Sequence, residues 1–145
     1  MRLLRKTDYA LRTLLDLTRH QDEEVVPVAA IARRQGIPPK FLEQILLTLK
    51  RAGLVTSRRG QNGGYALAVP PAQITLGAII RLSEGESALT VWSDDQVSER
   101  PGCPFKEIWA DISAYVTEKL DGATIQDVYG RMKLLEDKSG PEYMI

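Results

Sequence analysis

The sequence predicts a mostly helical fold that carries one small two-stranded β-hairpin, and three observations support this expectation. Apolar residues recur at helical spacing in several segments, glycines and prolines fall between those segments, and a glycine-rich stretch separates two strand-like runs. The chain has 145 residues, of which 43% are hydrophobic, and this is enough for one domain with a real core. The order of the elements then decides which helical fold is formed.

The first predicted helix begins at Thr7, a residue type that often caps helices, and runs to about Arg19. Its apolar spacing predicts one buried stripe made of Leu11, Leu14, Leu15 and Thr18. An acidic turn, QDEE, follows at residues 21–24. We expect this helix to form part of the core.

A second and a third helix are predicted to meet across a very tight turn. The second covers about residues 29–35 and ends at Gly36, because glycine readily adopts the left-handed conformation that follows many helices. Pro38 and Pro39 open the third helix, since the N–H groups of a first helical turn lack partners in any case. That helix continues through residues 40–52.

The third helix has two different faces. Its apolar residues predict the face that packs on the core: Phe41, Leu42, Ile45, Leu46 and Leu49. The other face is polar, apart from Leu47, and displays Lys40, Glu43, Gln44, Thr48 and Arg51. A short helix, a tight turn and a longer helix with a polar outer face are typical of a helix-turn-helix, whose second helix fits the major groove of DNA.

Two strand-like runs, residues 54–58 and 65–68, follow this helix directly. The NGG sequence at residues 62–64 lies between them and accepts positive φ angles. A two-stranded hairpin in this position is a wing, a name used below for residues 54–68. The fold class predicted is therefore a winged helix-turn-helix domain followed by a long C-terminal helix.

The tip of the wing combines glycines with basic and amide side chains. Glycines let the backbone approach a phosphate closely, and Arg58 and Arg59 can neutralise phosphates or enter a narrow minor groove. Gln61 and Asn62 can hydrogen-bond the edges of bases there. A hairpin with a purely structural role is the alternative. A Walker-type phosphate loop is disfavoured, because its lysine is missing and the stretch does not precede a helix.

Positive charge is concentrated in the first half of the chain, although the formal net charge is zero. Residues 1–68 contain 12 Lys and Arg against 6 Asp and Glu, whereas residues 69–145 contain 7 against 13. Within residues 30–68 the only acid is Glu43. This asymmetry favours a polyanionic partner for the first half, with an ordinary solvated surface as the alternative.

Catalysis and membrane insertion are not indicated. The only histidine, His20, and the only cysteine, Cys103, lie far apart in the sequence, so a catalytic Cys-His pair is not predicted and we expect no enzyme. The chain contains no apolar run long enough to span a membrane and no signal peptide. We therefore expect a cytoplasmic protein without a membrane partner.

Three runs of sequence, TDYALRTLLDL, IARRQGIPPKFLEQILLTLKRAGLVTSRRGQNGGYALA and ITLGAIIRLSEG, resemble the IscR/NsrR/CymR family of winged-helix transcriptional regulators. The resemblance covers residues 1 to about 130 and implies a homodimeric repressor that binds a partly palindromic DNA operator in response to a redox, small-molecule or protein signal. It places the third helix in the major groove and the wing at the minor groove. The expected DNA-binding residues are Lys40, Glu43, Gln44, Arg51, Arg58, Arg59, Gly60, Asn62, Gly63, Gly64 and Tyr65. A winged-helix protein-protein adaptor without DNA binding is the alternative.

The second half is expected to supply sensing and dimerisation. A helix capped near Thr75 and ending around Gly85 completes a DNA-binding domain over residues 1–85, and residues 86–104 form a sensor-region loop. Residues 105–145 hold the dimerisation helix, a last helix opened by a Thr124–Asp127 capping pair and reaching about Leu135, and a loose tail. By the resemblance, the apolar stripe that meets a second copy is Ile108, Trp109, Ile112, Tyr115, Val116 and Leu120. Packing of that stripe on the winged domain alone is the alternative.

Cluster-binding members of the family carry three cysteines before the dimer helix, and only Cys103 matches them here. Lys106 stands where some relatives have a histidine, and Asp8 matches a position that supplies a carboxylate ligand in others. One thiolate and one carboxylate underligate a cluster, so we expect no iron-sulfur cluster, no bound metal and no other cofactor. A cluster held by other oxygen or nitrogen donors stays open.

Cys103 is the candidate sensor residue. Lys106 and the start of the following helix would favour its thiolate, the reactive form. The alternatives are a small molecule bound between the winged domain and the dimer helix, where Trp92 would line the site, and a protein effector.

Overall fold

Six α-helices and one two-stranded antiparallel sheet form the part of the chain that the computed structural model describes, residues 2–90 and 102–139. In chain order these are α1 (Arg5–Arg19), α2 (Val28–Gln35), α3 (Pro39–Arg51), β1 (Val55–Arg58), β2 (Gly64–Leu67), α4 (Leu76–Glu84), α5 (Lys106–Gly122) and α6 (Ile125–Ser139). Short 3₁₀ turns at Pro71–Gln73 and Glu86–Leu89 flank α4. The predicted fold class is confirmed.

Helix α1 lies at the centre of the core and packs against α2, α3, α4, α6 and β2. Leu14 and Leu17 are fully buried. Thr18 is buried as well, and its hydroxyl donates to the Leu14 carbonyl oxygen (2.7 Å). Leu11 and Leu15 are half-buried against the same core. The predicted stripe therefore faces the core, although only Leu14 and Thr18 of its four residues are buried, and Leu17 also belongs to it.

The prediction that Thr7 caps α1 is wrong. The helix begins at Arg5, so Thr7 lies in its first turn and is buried. The Thr7 hydroxyl donates to the carboxylate of Glu84 at the end of α4, and the Leu4 N–H donates to the same carboxylate (3.2 Å). A carboxylate at this position satisfies a free N–H group and interacts favourably with the helix dipole. The negative group at the start of α1 thus comes from a distant part of the chain.

Helices α2 and α3 form the predicted pair, with bounds within one residue of those expected. Gly36 follows α2 with a φ of 64°, which confirms its left-handed role. Pro39 is the first residue of α3, and Pro38 precedes it in an extended conformation. The turn between the helices is therefore defined by residues whose backbone preferences are readable in the sequence.

Asp16 of α1 anchors the end of α2. Its carboxylate is 1% exposed and accepts two hydrogen bonds from Arg34, at 3.0 Å and 2.7 Å, and one from Gln35 at 2.9 Å. These contacts raise the pKa of the Arg34 guanidinium above its usual value, chiefly through the hydrogen bond. A buried carboxylate requires such partners. Arg34 therefore has a structural role, and its charge is compensated within the protein.

The wing is attached to the helical body through a third extended segment. Strands β1 and β2 pair in antiparallel register with Val55 opposite Leu67 and Arg58 opposite Gly64. On the other side of β2, Val26 forms an isolated bridge with Tyr65 through two backbone hydrogen bonds, at 2.8 Å and 2.9 Å. The segment between α1 and α2 therefore determines where the wing lies.

The last helix returns to the core. The N–H of Leu76 donates to the Ala123 carbonyl oxygen and the N–H of Ile125 donates to the Ile74 carbonyl oxygen, both at 2.9 Å. Ile125 is 1% exposed, and α6 packs against α1. At the far end, Arg19 pairs with Glu136 at 2.6 Å. Residues before and after α5 are thus joined.

Both predicted caps of the C-terminal half are confirmed. The Thr75 hydroxyl accepts from the Ala78 N–H (3.1 Å) at the start of α4. Thr124 and Asp127 exchange side-chain to backbone hydrogen bonds at 3.0 Å and 3.1 Å, which is a capping box. Helix α6 extends to Ser139 rather than to about Leu135, and residues 140–145 lie outside the described residues.

Helix α5 has no buried residue. It contacts α4 and the second 3₁₀ turn, and Arg81 of α4 donates two hydrogen bonds, both of 2.8 Å, to Asp121 near its end. The hydrogen bond from Arg81 lowers the pKa of the Asp121 carboxyl. Gly77 leaves the space that the Asp121 carboxylate occupies, because a Cβ there would come within 2.0 Å of its oxygen.

Among the helices described, not one is both long enough and apolar enough to cross a lipid bilayer.

Candidate nucleic-acid interface

Helix α3 presents a polar outer surface because its apolar side is firmly packed. Leu42, Leu46 and Leu49 are at most 1% exposed and Ile45 is 8% exposed. The exposed residues of the helix include Lys40, Glu43, Gln44, Leu47, Thr48 and Arg51. The three polar residues expected to enter the major groove, at positions 40, 43 and 44, therefore all face solvent.

Phe41 differs from its prediction as a core residue. It is 37% exposed, and its ring meets the ring of Tyr9 edge to face, with centroids 5.6 Å apart. Phe41 thus lies at the margin between the core and the outer surface. Leu47, which interrupts the polar face in the sequence, is 43% exposed and would suit an apolar contact such as a thymine methyl group.

The outer surface of α3 and the wing are joined directly. Lys50, in the last turn of α3, donates to the hydroxyl of Ser57 in β1 (2.6 Å). This bond links the end of the helix to the strand that leads to the wing tip. Sequence reasoning missed it, because a lysine and a serine seven positions apart carry no local signal.

The glycines of the wing tip are required for two different reasons. Gly60 has a φ of 111°, which disfavours any residue with a side chain. Residues 62–64 can accept positive φ but do not adopt it, since Gly60 is the residue of the wing with a positive φ. At Gly63 and Gly64 the reason is space: a Cβ would come within 2.2 Å of the carbonyl oxygens of Arg58 and Val26, respectively.

Arg58 and Arg59 are neighbours with different surroundings. Arg58 donates to the carboxylate of Glu24, in the acidic turn after α1. This contact lowers the pKa of Glu24 and raises that of Arg58, mainly through the hydrogen bond. Arg59 is exposed and has no hydrogen bond or ion pair within residues 2–90 and 102–139.

The remaining predicted wing residues surround the tip. Gly60 and Asn62 are exposed, whereas Gly63, Gly64 and Tyr65 are half-buried. Tyr65 is tied down by its backbone pairing with Val26. Among the cations of α3, Lys40, Lys50 and Arg51 are exposed, and none of them forms an ion pair in the part of the chain that the structure describes. Together with Arg59, they form the available positive charge of this surface.

A cavity of about 300 Å³ opens beside α3, between α1 and α4. Its lining combines apolar and polar side chains, among them Lys6, Phe41, Gln44, Thr48 and Leu82. Because Gln44 and Thr48 also belong to the outer surface of α3, this cavity is continuous with the candidate interface. It is not the site expected between the winged domain and α5.

The candidate sensor residues are not brought together into a metal site. Cys103 is half-buried in the turn that precedes α5, and Asp8 pairs with Arg12 on α1 at 3.1 Å. Within the described ranges, no three His, Cys, Asp or Glu side chains are grouped so as to hold a metal ion. Trp92 lies outside the described residues.

Helix α5 leaves most of its predicted stripe uncovered. Exposed fractions are 54% for Ile108, 37% for Trp109, 41% for Ile112 and 63% for Tyr115. Val116 and Leu120 are half-buried. Exposed apolar residues at helical spacing on one helix are typical of a protein-protein contact.

The chain is similar to known transcriptional regulators along most of its length. Residues 3–131 match the family described as Rrf2, iron-dependent transcriptional regulator. An HTH-type transcriptional regulator of Synechocystis is 38% identical over 130 residues, which span 89% of this chain and 88% of that protein. The regulator IscR of Aliivibrio salmonicida is 35% identical over 129 residues, spanning 88% of this chain and 77% of that protein.

Solved structures have the same fold. CymR of B. subtilis, a global cysteine regulator, superposes with a TM-score of 0.81 at 32% identity and covers 90% of this chain and 98% of its own. T. potens IscR gives a TM-score of 0.76 at 32% identity, covering 97% and 92%.

The close approach at Gly64 leads to a testable expectation. Gly64→Ala would place a methyl group against the Val26 carbonyl, so we expect a loss of about 1–3 kcal/mol in the free energy of unfolding, measured by urea denaturation. Gly130→Ala is the control for the added methyl group, because nothing lies within 4 Å of a Cβ there, and since Gly130 lies inside α6 this change should raise the free energy of unfolding by about 0.5–1 kcal/mol. Equal stability of the two variants would contradict the close packing of the wing against residue 26.

Proposed function

Because the chain belongs to the Rrf2 family of transcriptional regulators, we propose that it works as a homodimeric repressor in which α3 and the wing read an operator. The family makes it a DNA-binding regulator of transcription rather than an enzyme. Such a protein acts where the chromosome is, which supports a cytoplasmic location. The single observation that carries the proposal is the joint exposure of the polar face of α3 and the cationic wing tip.

Helix α3 is proposed to provide the base contacts. Gln44 can form two hydrogen bonds with adenine, and Glu43 can accept from the amino group of cytosine. Both side chains are exposed on the outer surface of the helix. Each good pair of this kind contributes about 1–3 kcal/mol of discrimination. Lys40 and Arg51, at the two ends of the helix, are suited to the flanking phosphates.

The wing is proposed to contact the minor groove beside the helix. Gly60, Gly63 and Gly64 keep the tip narrow, and Arg59 extends from it into solvent. An arginine is attracted to the strong negative potential of a narrow minor groove. Asn62 at the tip can read the acceptors that A·T pairs present there.

Helix α5 is proposed to join two copies of the chain. The uncovered stripe that includes Ile108, Ile112 and Tyr115 supplies apolar surface, and a two-fold axis would bring the same stripe of a second copy against it. Dimerisation would place two α3 helices in successive major grooves, about 34–36 Å apart. A partly palindromic operator then matches the symmetry of the protein.

The signal is proposed to act without a cysteine-ligated iron-sulfur cluster. The chain contains one cysteine, and one thiolate together with the Asp8 carboxylate supplies too few ligands, so the donor set does not fit such a cluster. A thiol reaction at Cys103, a small molecule or a protein effector acting on residues 86–104 remains as the candidate signal.

Removal of the Arg59 charge tests the DNA proposal. Each lost phosphate contact reduces the magnitude of the slope of log K against log salt by roughly 0.9, so Arg59→Gln should weaken binding and flatten this slope. Fluorescence anisotropy with a mixed-sequence duplex measures both quantities. Arg131→Gln, which removes the same charge from α6, should leave both at wild-type values. A wild-type protein that binds no duplex would favour a protein-protein adaptor.

A charge placed in the stripe of α5 tests dimerisation. Ile112→Glu would bury a carboxylate in the proposed interface, at a cost of several kcal/mol unless it finds a partner. We expect sedimentation analysis to show a monomer at concentrations where the wild type is a dimer. Leu134→Glu changes an exposed apolar residue on α6, which is 59% exposed against 41% for Ile112, and should remain dimeric. A dimeric Ile112→Glu variant would contradict the proposed interface.

Anaerobic purification tests the proposed absence of a cluster. We expect a colourless protein without stoichiometric iron or sulfide that binds duplex DNA, as measured by absorption spectroscopy, metal analysis and anisotropy. A visible absorption band with bound iron would show that oxygen or nitrogen donors supply the missing ligands.

A further inference from the structure

The turn between α1 and α2 places negative charge beside the wing. Asp22, Glu23 and Glu24 are all exposed. Two residues after Glu24, Val26 pairs with Tyr65 of β2, and on the other side of β2 the register sets Arg58 opposite Gly64. The acidic turn is thus fixed next to the part of the molecule that is proposed to approach phosphates.

Glu24, at the end of this turn, forms an ion pair with Arg58. The Arg58 guanidinium donates to the Glu24 carboxylate, with side-chain exposures of 54% and 72%. Exposed pairs contribute little to stability, so the fold does not depend on this contact. Its main effect is on the charge that the wing offers to a polyanion.

The neighbouring arginine provides an internal comparison. Arg59 is one residue further towards the tip, is exposed, and makes no ion pair with any residue in the described ranges. The two adjacent arginines therefore differ in their partners as well as in position: a carboxylate of the protein binds Arg58 and none binds Arg59 among the described residues.

We propose that Glu24 keeps Arg58 on the surface of the protein and so withholds it from the DNA backbone, which leaves Arg59 as the arginine through which the wing binds phosphate. The proposal rests on the DNA-binding function above and adds a residue that limits its electrostatic strength. Hydrogen bonding in the pair lowers the pKa of Glu24, so the carboxylate is ionised at neutral pH and the pair is intact there.

The salt dependence of duplex binding tests this directly, because its slope reports the number of phosphates neutralised. The probe is a mixed-sequence duplex of about 30 base pairs, bound by the full-length protein. We expect Glu24→Gln to release Arg58, to tighten binding several-fold at low salt and to steepen the slope by roughly 0.9 for each wing that contacts DNA. The double variant Glu24→Gln/Arg58→Gln should return to the wild-type slope.

Single variants complete the test. Arg58→Gln in the wild-type background should change the slope much less than Arg59→Gln does. Asp22→Asn removes one negative charge from the same turn without removing a hydrogen bond or ion pair among the described residues, and it should leave the slope at the wild-type value.

Two results would overturn the proposal. An Arg58→Gln variant that flattens the slope as much as Arg59→Gln would show that Arg58 already contacts phosphate. Equal effects of Glu24→Gln with and without Arg58 would show that Glu24 acts only through its general field. Failure of the wild-type protein to bind any duplex is a different outcome, because it would remove the DNA-binding function itself. Thermal unfolding of all variants should match the wild type, since the exposed pair contributes little to stability.

Discussion

The backbone pairing of Val26 with Tyr65 is the contact on which the arrangement of the candidate interface depends. It joins the segment after α1 to β2, while Lys50 joins α3 to β1. Both strands of the wing are therefore fixed: β2 to the segment that precedes α2, and β1 to the end of α3. This close pairing requires a glycine at position 64, because a Cβ there would collide with the Val26 carbonyl. The position of the wing beside α3 therefore depends on Gly64.

Charge in this protein is divided between the fold and the surface. Asp16 forms a buried ion pair with Arg34, and Glu24 forms an exposed ion pair with Arg58. Consequently the number of basic residues in the sequence overstates the positive charge that a partner meets. The chain has no net charge and yet displays a cationic wing tip, because most of its acidic residues lie in the C-terminal half.

Much of the fold was predictable because its boundaries are set by residues with strong local preferences. Gly36, Pro39, Thr75 and the capping box at Thr124 each act within a few positions, and the bounds of α2, α3 and α4 followed from them. The errors have a common cause, since the true partner is distant in sequence. Thr7 meets a carboxylate on α4 rather than capping its own helix. The Glu24–Arg58 pair and the crowding of Gly64 against Val26 likewise require tertiary contacts that no local pattern contains.

The attachment of α5 has a mechanical consequence. The residue after this helix, Ala123, accepts a hydrogen bond from the Leu76 N–H at the start of α4. Arg81 of α4 also donates to Asp121 near the end of α5. Both contacts are made by α4, and Glu84 at the end of α4 accepts hydrogen bonds from Leu4 and Thr7 at the start of α1. A displacement of α5 would therefore act on α4, a helix of nine residues, and through residues 123–125 on α6, and both of these helices pack against α1.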